Sequence, residues 1–308
     1  MSPSKSSDLG GSSFSCLFKE ADAQEYYLYY SGATDQNWTK ATIQVAKSAD
    51  GLRFEKQKGD PLISTGKETV TPAVFKADGN YWMVFAFRPE NRPGRRIGIA
   101  SADNPLGPWE FVRTLIEPEG WESESIDIGP SIVNISGNEK LVFYSNVTSG
   151  RFLGLGPRRP IYRRIGILRL KVSGSRSVEV KRWDKNPLTH LNGDKGSWNE
   201  SLFCPGYFSL KGKSYLLPSG STYSLGFPYK QYVGLIEGGS PFFEDSTAKS
   251  ILISGPEEKT RIIPTIKGEI ALDTASPIIK EGDLWMYYAV MDRADGIWKT
   301  ALSIFSID

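Results

Sequence analysis

The chain has 308 residues, enough to bury a sizeable core as one large domain or two ordinary ones. Hydrophobic residues at 39% and aromatics at 12% mark a globular composition rich in strand formers, and a net charge of +2 argues against a general nucleic-acid-binding surface. No apolar stretch approaches the roughly 20 residues that a membrane span needs. Cys16 and Cys204 form neither a CxxC pair nor a disulfide framework, and His190, the single histidine, cannot build a His-rich metal site.

"MSPSKSSDLGGSSFS" lacks the apolar core of a signal peptide. The sequons at Asn37, Asn134, Asn146 and Asn199 then read as chance. The expected location is cytoplasmic, with secretion requiring a signal that has been removed.

In chain order, apolar runs separated by turn residues recur in sets. The first set is "SFSCLF", "EYYLYYSG", "KATIQVAKS" and "LRFEKQ"; the second is "TPAVF", "NYWMVFAF", "RRIGIASA" and "PWEFVRTL". The third is "GPSIV", "KLVFYSN", "RRIGILRLKV" and "VEVKRW". The fourth is "CPGYF", "KSYLLPSG" and "QYVGLIEGG", with a less distinct last member around "SILISG". The fifth is "SPIIK", "LWMYYAV" and "WKTALSIFSI", and no fourth run remains before the chain ends at Asp308. Turns such as "KADGN", "NISGNE", "LKGK" and "KEGD" join the first two runs as hairpins. Helical periodicity is almost absent.

Four antiparallel strands repeating roughly every 50–70 residues predict an all-β fold, a five-bladed β-propeller with four antiparallel strands per blade. It is expected as a single domain over 1–308, with blades starting near residues 13, 71, 129, 204 and 276. The last blade lacks an outer strand, so the N-terminal segment or a neighbouring loop is expected to close the ring. A β-sandwich would leave the repeat unexplained.

In a propeller the first strand of each blade lines the central channel. The residues leading into it and the loops between second and third strands share one face. Those leading residues carry Glu68, Asp127, Glu200 and Asp273, while the first blade offers only Asp8, further from its strand. The third approach, "GWESESIDIGP", adds Glu122 and Glu124. A ring of carboxylates around one cavity is one reading; turn capping by individual acids is the other.

The loops between second and third strands are long and rich in aromatic and Arg residues, as functional loops on a rigid scaffold tend to be. Trp38, Tyr162, Tyr223, Tyr229 and Trp298, with Trp121 and Trp198 just ahead of first strands, are candidates to stack on sugar rings, or else packing residues. The clusters Arg88 to Arg96 and Arg158 to Arg164 fall in adjacent blades and suit carboxylate, phosphate or sulfate partners, or remain solvated charge.

With these features the chain resembles the five-bladed propeller glycosidases that include arabinanases, β-xylosidases, invertases and levansucrases. "GRRIGIASADNPLGPWEFV" is similar to their blade ending, and "SADGLRFEK" is a second copy. The run "TPAVFKADGNYWMVFAFR", "RRIGIASA" and "GWESESID" is closer still to uncharacterised glycosyl-hydrolase-like propellers found with polysaccharide biosynthesis. The resemblance covers nearly the whole chain.

It implies a three-carboxylate set of base or nucleophile, acid, and a third that orients and tunes the acid. Many members carry Asp directly before Pro in blades one and two; here those positions are Ser13 and Thr71, and blade three has Gly129. The trio carried over is Glu68 as base, Asp127 as the tuning residue and Glu200 as acid, since "WNESLFCP" is similar to the Trp-Glu-Cys-Pro motif of invertases. Glu124 competes with Asp127 and Asp273 with Glu68. Arg88, Trp121, Glu124, Trp198, Asp273, Trp38 and Tyr223 are the expected substrate-binding residues.

The resulting expectation is a carbohydrate-active glycoside hydrolase without cofactor or metal, binding a carbohydrate with an anionic substituent left open. No nucleic-acid or membrane partner is expected, and the oligomeric state is open. The rival is a non-hydrolytic sugar-binding or polysaccharide or natural-product biosynthetic protein on the same scaffold. A protein-interaction propeller would instead carry a hydrophobic mouth.

Overall fold

The computed structural model describes residues 10–307 apart from 21, 36–37, 39, 58–60, 148, 153–154, 161, 225–229, 246–248, 256–268 and 293–294. Among the described residues the regular structure is strand, with two single-turn 3-10 segments at Gly120–Glu122 and Thr189–Leu191. The strands run β1 (Gly11–Phe18), β2 (Tyr26–Ala33), β3 (Ala41–Ser48), β4 (Glu55–Lys56), β5 (Glu68–Ala77), β6 (Asn80–Arg88), β7 (Arg96–Ala102) and β8 (Glu110–Ile116). They continue as β9 (Ile126–Ser136), β10 (Glu139–Asn146), β11 (Ser149–Phe152), β12 (Leu155–Pro160), β13 (Ile165–Ser173) and β14 (Ser177–Arg182). The remainder are β15 (Ser201–Leu210), β16 (Lys213–Ser221), β17 (Gln231–Gly238), β18 (Lys249–Ser254), β19 (Glu269–Lys280), β20 (Asp283–Asp292) and β21 (Trp298–Ser306).

Three four-stranded antiparallel sheets, in the orders β5-β6-β7-β8, β9-β10-β13-β14 and β15-β16-β17-β18, have the form of propeller blades. A seven-stranded sheet in the order β19-β20-β21-β1-β2-β3-β4 is mixed, because Gly11 pairs in parallel with Trp298 and links the antiparallel sets on either side. The long loop of the third repeat holds a two-stranded ribbon, β11-β12, and the expected "LRFEKQ" strand shortens to the two residues of β4.

The burial of each strand follows its place in the sheet. The second strand β2 is buried at every position and β6 at all but its two ends, because neighbouring sheets cover both faces. The outer strands β8 and β14 are the more exposed and carry Glu110, Arg113, Glu179 and Lys181, charges that blunt an open edge. Apolar clusters fill the space between successive sheets: Tyr29 and Ile43 with Met83 and Phe85, then Trp82 and Val84 with Ile128 and Tyr144. Phe143 and Ile165 meet Leu202 and Leu216, Leu217 and Val233 meet Met286 and Tyr288, and Trp285 with Tyr287 returns to Leu28.

The first strands neighbour one another in the order β1, β5, β9, β15, β19 and back to β1. Their approach is close enough that a Cβ on Gly129 would lie 2.0 Å from the Pro205 carbonyl oxygen, and one on Gly206 would lie 2.0 Å from that of Ala275. Each first strand also breaks register against its partner. At four of these breaks a non-glycine residue adopts positive φ: Phe14 at 51°, Thr71 at 50°, Cys204 at 43° and Thr274 at 39°. Such bulges re-aim the side chains around them at a conformational cost.

Candidate active site

A cavity of about 750 Å³ opens where the first strands converge. It is lined by Phe14, Asp127, Phe203, Cys204 and Asp273 from first strands, by Arg88, Pro93, Gly94, Arg95, Val147, Arg163 and Gln231 at and between second and third strands, and by Glu124 and Ser125. Strand alternation places the two aspartates. Ile126 and Ile128 turn into the core between sheets, so Asp127 faces the other way. Leu272 does the same beside Asp273.

The same period sorts the repeated "RRIG". Arg95 and Arg163, the first arginine of each doublet, line the cavity. The second of each turns to the opposite face, Arg96 to Glu117 at 2.7 Å and Arg164 onto the Trp121 ring with 5.6 Å to its centroid. The sequence marks both clusters; the duplicated doublet read with a period of two is the signal that singles out Arg95 and Arg163.

Arg95 bridges two acids. Its Nη1 donates to Asp127 Oδ2 at 2.6 Å and its Nη2 to Glu68 Oε1, while Arg88 pairs with the other Glu68 oxygen at 2.6 Å. Burial works against the charge of Arg95, and the two carboxylates outweigh it and hold the guanidinium above its ordinary range. Glu68 thus has two guanidinium partners, and Asp127 has Arg95 alone in ion-pair contact. Burial pushes the Asp127 carboxyl up to about 6, with Arg95 and, more weakly, Arg163 opposing and Glu68 reinforcing the rise.

Asp273 is also raised by burial, against hydrogen bonds to Oδ1 from the Ser219 hydroxyl at 2.6 Å and the Thr274 hydroxyl at 2.8 Å. Burial drives the Cys204 thiol well above its usual range, with Asp127 and Asp273 pushing the same way, so it stays protonated.

Of the residues marked by the sequence, Arg88, Glu124, Asp127 and Asp273 line the cavity, and Glu68 stands one ion pair behind it. Glu200 is not among the lining residues. Its carboxylate accepts from the amides of Gly196 and Tyr223, each at 2.9 Å, and from the Ser224 amide at 3.0 Å and hydroxyl. Burial pushes this carboxyl up, but the Ser224 hydroxyl and the three amides outweigh it and hold it below the ordinary range.

Trp38 meets Phe14 edge-on and packs with Ala33, Ala41, Val70 and Ala86. Trp121 tilts against Tyr144, and Trp198 packs with the Leu202 and Ile236 cluster. Tyr223 is 40% exposed and lies 5.7 Å from Tyr162, an accessible aromatic pair. Glu122 is fully buried, salt-bridged to Arg182 at 2.9 Å and accepting from Tyr144 at 2.6 Å. His190 Nε2 lies 2.7 Å from the Phe243 carbonyl oxygen, and His190 is not a lining residue. Asp8 and Tyr229 lie outside the described residues.

No family model matches the chain. Its fold is shared with propeller glycoside hydrolases. The α-L-arabinanase of Cellvibrio cellulosa, solved with arabinohexaose, matches with a TM-score of 0.62 at 13% identity, over 96% of this chain and 91% of its own. A thermostable family-43 glycoside hydrolase matches with a TM-score of 0.65 at 14% identity, over 97% and 90%. The native arabinanase of Bacillus subtilis matches with a TM-score of 0.60 at 15% identity, over 96% of both chains.

Proposed function

We propose that the chain is one five-bladed β-propeller domain that acts on carbohydrate as a glycoside hydrolase, with Asp127 and Asp273 carrying the acid–base chemistry in the mouth of the ring. The cyclic order of first strands, with apolar clusters between successive sheets, supports five blades. The first blade is β1–β4 and the last is β19–β21, joined at Gly11 and Trp298.

The observation that carries the chemistry is Asp127, a buried carboxyl held at about 6 in the wall of a cavity large enough for a sugar. Cleavage of a glycosidic bond needs a proton on the leaving oxygen and a second carboxylate to attack the sugar or activate water. A carboxyl near 6 is partly protonated at neutral pH, so Asp127 donates the proton. Asp273, oriented by Ser219 and Thr274, is the second carboxylate. Glu68, the base expected from the resemblance, acts through Arg95 as a positioning residue, and Glu200 holds the turn carrying Tyr223 and Ser224. The Tyr162–Tyr223 pair offers apolar ring faces on which sugars stack.

Hydrolysis of a panel of aryl glycosides tests this. Asp127→Asn and Asp273→Asn are each expected to lower kcat by about 100-fold or more. A second reading, a non-hydrolytic sugar-binding protein, draws on Ser13: it is buried where the resemblance expects an acid. Absent turnover with saturable glycan binding that survives both changes would select that reading.

A further inference from the structure

We infer that Arg163 is a subsite for the carboxylate of a uronic-acid residue, so that the cavity takes an acidic rather than a neutral glycan. This rests on the carbohydrate reading above and names the class of sugar. Three arginines line the cavity, and two are matched: Arg88 by Glu68, and Arg95 by Glu68 and Asp127. Arg163 has no carboxylate within ion-pair distance among the described residues, and its charge reaches Asp127 and Asp273 only at longer range. A guanidinium in a cavity wall with no carboxylate in contact is free to take one from a ligand.

Arg163 is also held in place. Its amide donates to the Ser201 hydroxyl at 2.9 Å, and its carbonyl accepts from the Leu202 amide at 3.1 Å and the Asn192 side-chain amide at 3.0 Å. The guanidinium stacks on the buried Phe203 ring, 4.2 Å from its centroid. A fixed backbone and a stacked plane leave little side-chain freedom to lose on binding. The planar fork of Arg matches the two oxygens of a carboxylate. Asp127 and Asp273 in the same cavity repel a dianion such as a phosphomonoester more than a single charge.

The test is calorimetric binding of oligogalacturonates and oligoglucuronates, their carboxyl-reduced counterparts and sulfated counterparts, to the full chain and to Arg163→Met and Arg163→Lys. The wild type is expected to prefer the acid form by about 10- to 100-fold. That ratio should fall toward one in Arg163→Met, survive in part in Arg163→Lys, and shrink as salt is raised. Equal affinity of the wild type for acid and reduced forms overturns the subsite and leaves the carbohydrate reading standing. So does an acid preference untouched in Arg163→Met. Tighter binding of the sulfated form overturns the assignment to a carboxylate. Binding of no member of the panel overturns the subsite, and hydrolysis of the aryl-glycoside panel then decides the carbohydrate reading separately. Should Arg163→Met fail to fold, the salt dependence and the Arg163→Lys ratio decide, a salt-independent and unchanged ratio overturning the subsite.

Discussion

At Asp127 burial and charge oppose one another, and the balance has a measurable sign. The carboxyl titrates near 4 in an unfolded chain and is raised to about 6 in the fold. Between those values the folded state binds more protons than the unfolded one. Stability from this group is therefore full below about pH 4, declines as pH rises to about 6, and is flat above. The loss is about 3 kcal/mol for a rise of about two pH units. Urea unfolding of the wild type and Asp127→Asn at pH 4.5 and 7 isolates it: the wild type's advantage should shrink by up to that amount, and a pH-independent difference would refute it. Four of the ten site residues marked by the sequence line one cavity, because position at the start of a first strand (Glu124, Asp127, Asp273) or at the end of a second (Arg88) is a local signal. The direction of a carboxylate is not. Glu200 stands at such a position too, yet four nearby donors take up both of its oxygens.

The strands themselves were legible from apolar runs and turn residues, and the first, second and third strand of every repeat falls where those runs lie. Two departures concern edges. The outer strand of the first repeat pairs at only two positions, and the long third loop folds back on itself as β11-β12. Glu55 and Lys56 of β4 have no buried face to constrain them, so periodicity carries little information there. The first strands meet backbone to backbone at Gly129, where an added methyl group would overlap the Pro205 carbonyl. Gly129→Ala is expected to destabilise the protein by about 3 kcal/mol, because neither strand can withdraw without disturbing the next. Chemical denaturation measures it, and a loss well under 1 kcal/mol would show that the ring has slack.

The ring closes end to end: Gly11 pairs with Trp298, the Leu17 amide donates to the Ser276 hydroxyl at 3.0 Å, and Trp285 and Tyr287 share a cluster with Leu28. The last strand is thus a shared wall. A chain cut after residue 297 loses β21 and uncovers the apolar residues of β20, including Met286 and Tyr288. It is expected to lose the cooperative unfolding transition seen by circular dichroism; an unchanged transition would mean that the last repeat is dispensable to the fold. The sequence by itself determined the strands, their turns and their repetition, because pleat periodicity and turn chemistry act over a few residues. Only the tertiary structure decided which charges face one another. Glu68, Arg95 and Asp127 come from segments far apart in the chain, and they touch because stacked sheets curve around a common axis. That Arg163 has no carboxylate in contact among the described residues follows from the same cause: pairing is a property of the assembled cavity, not of any stretch of sequence.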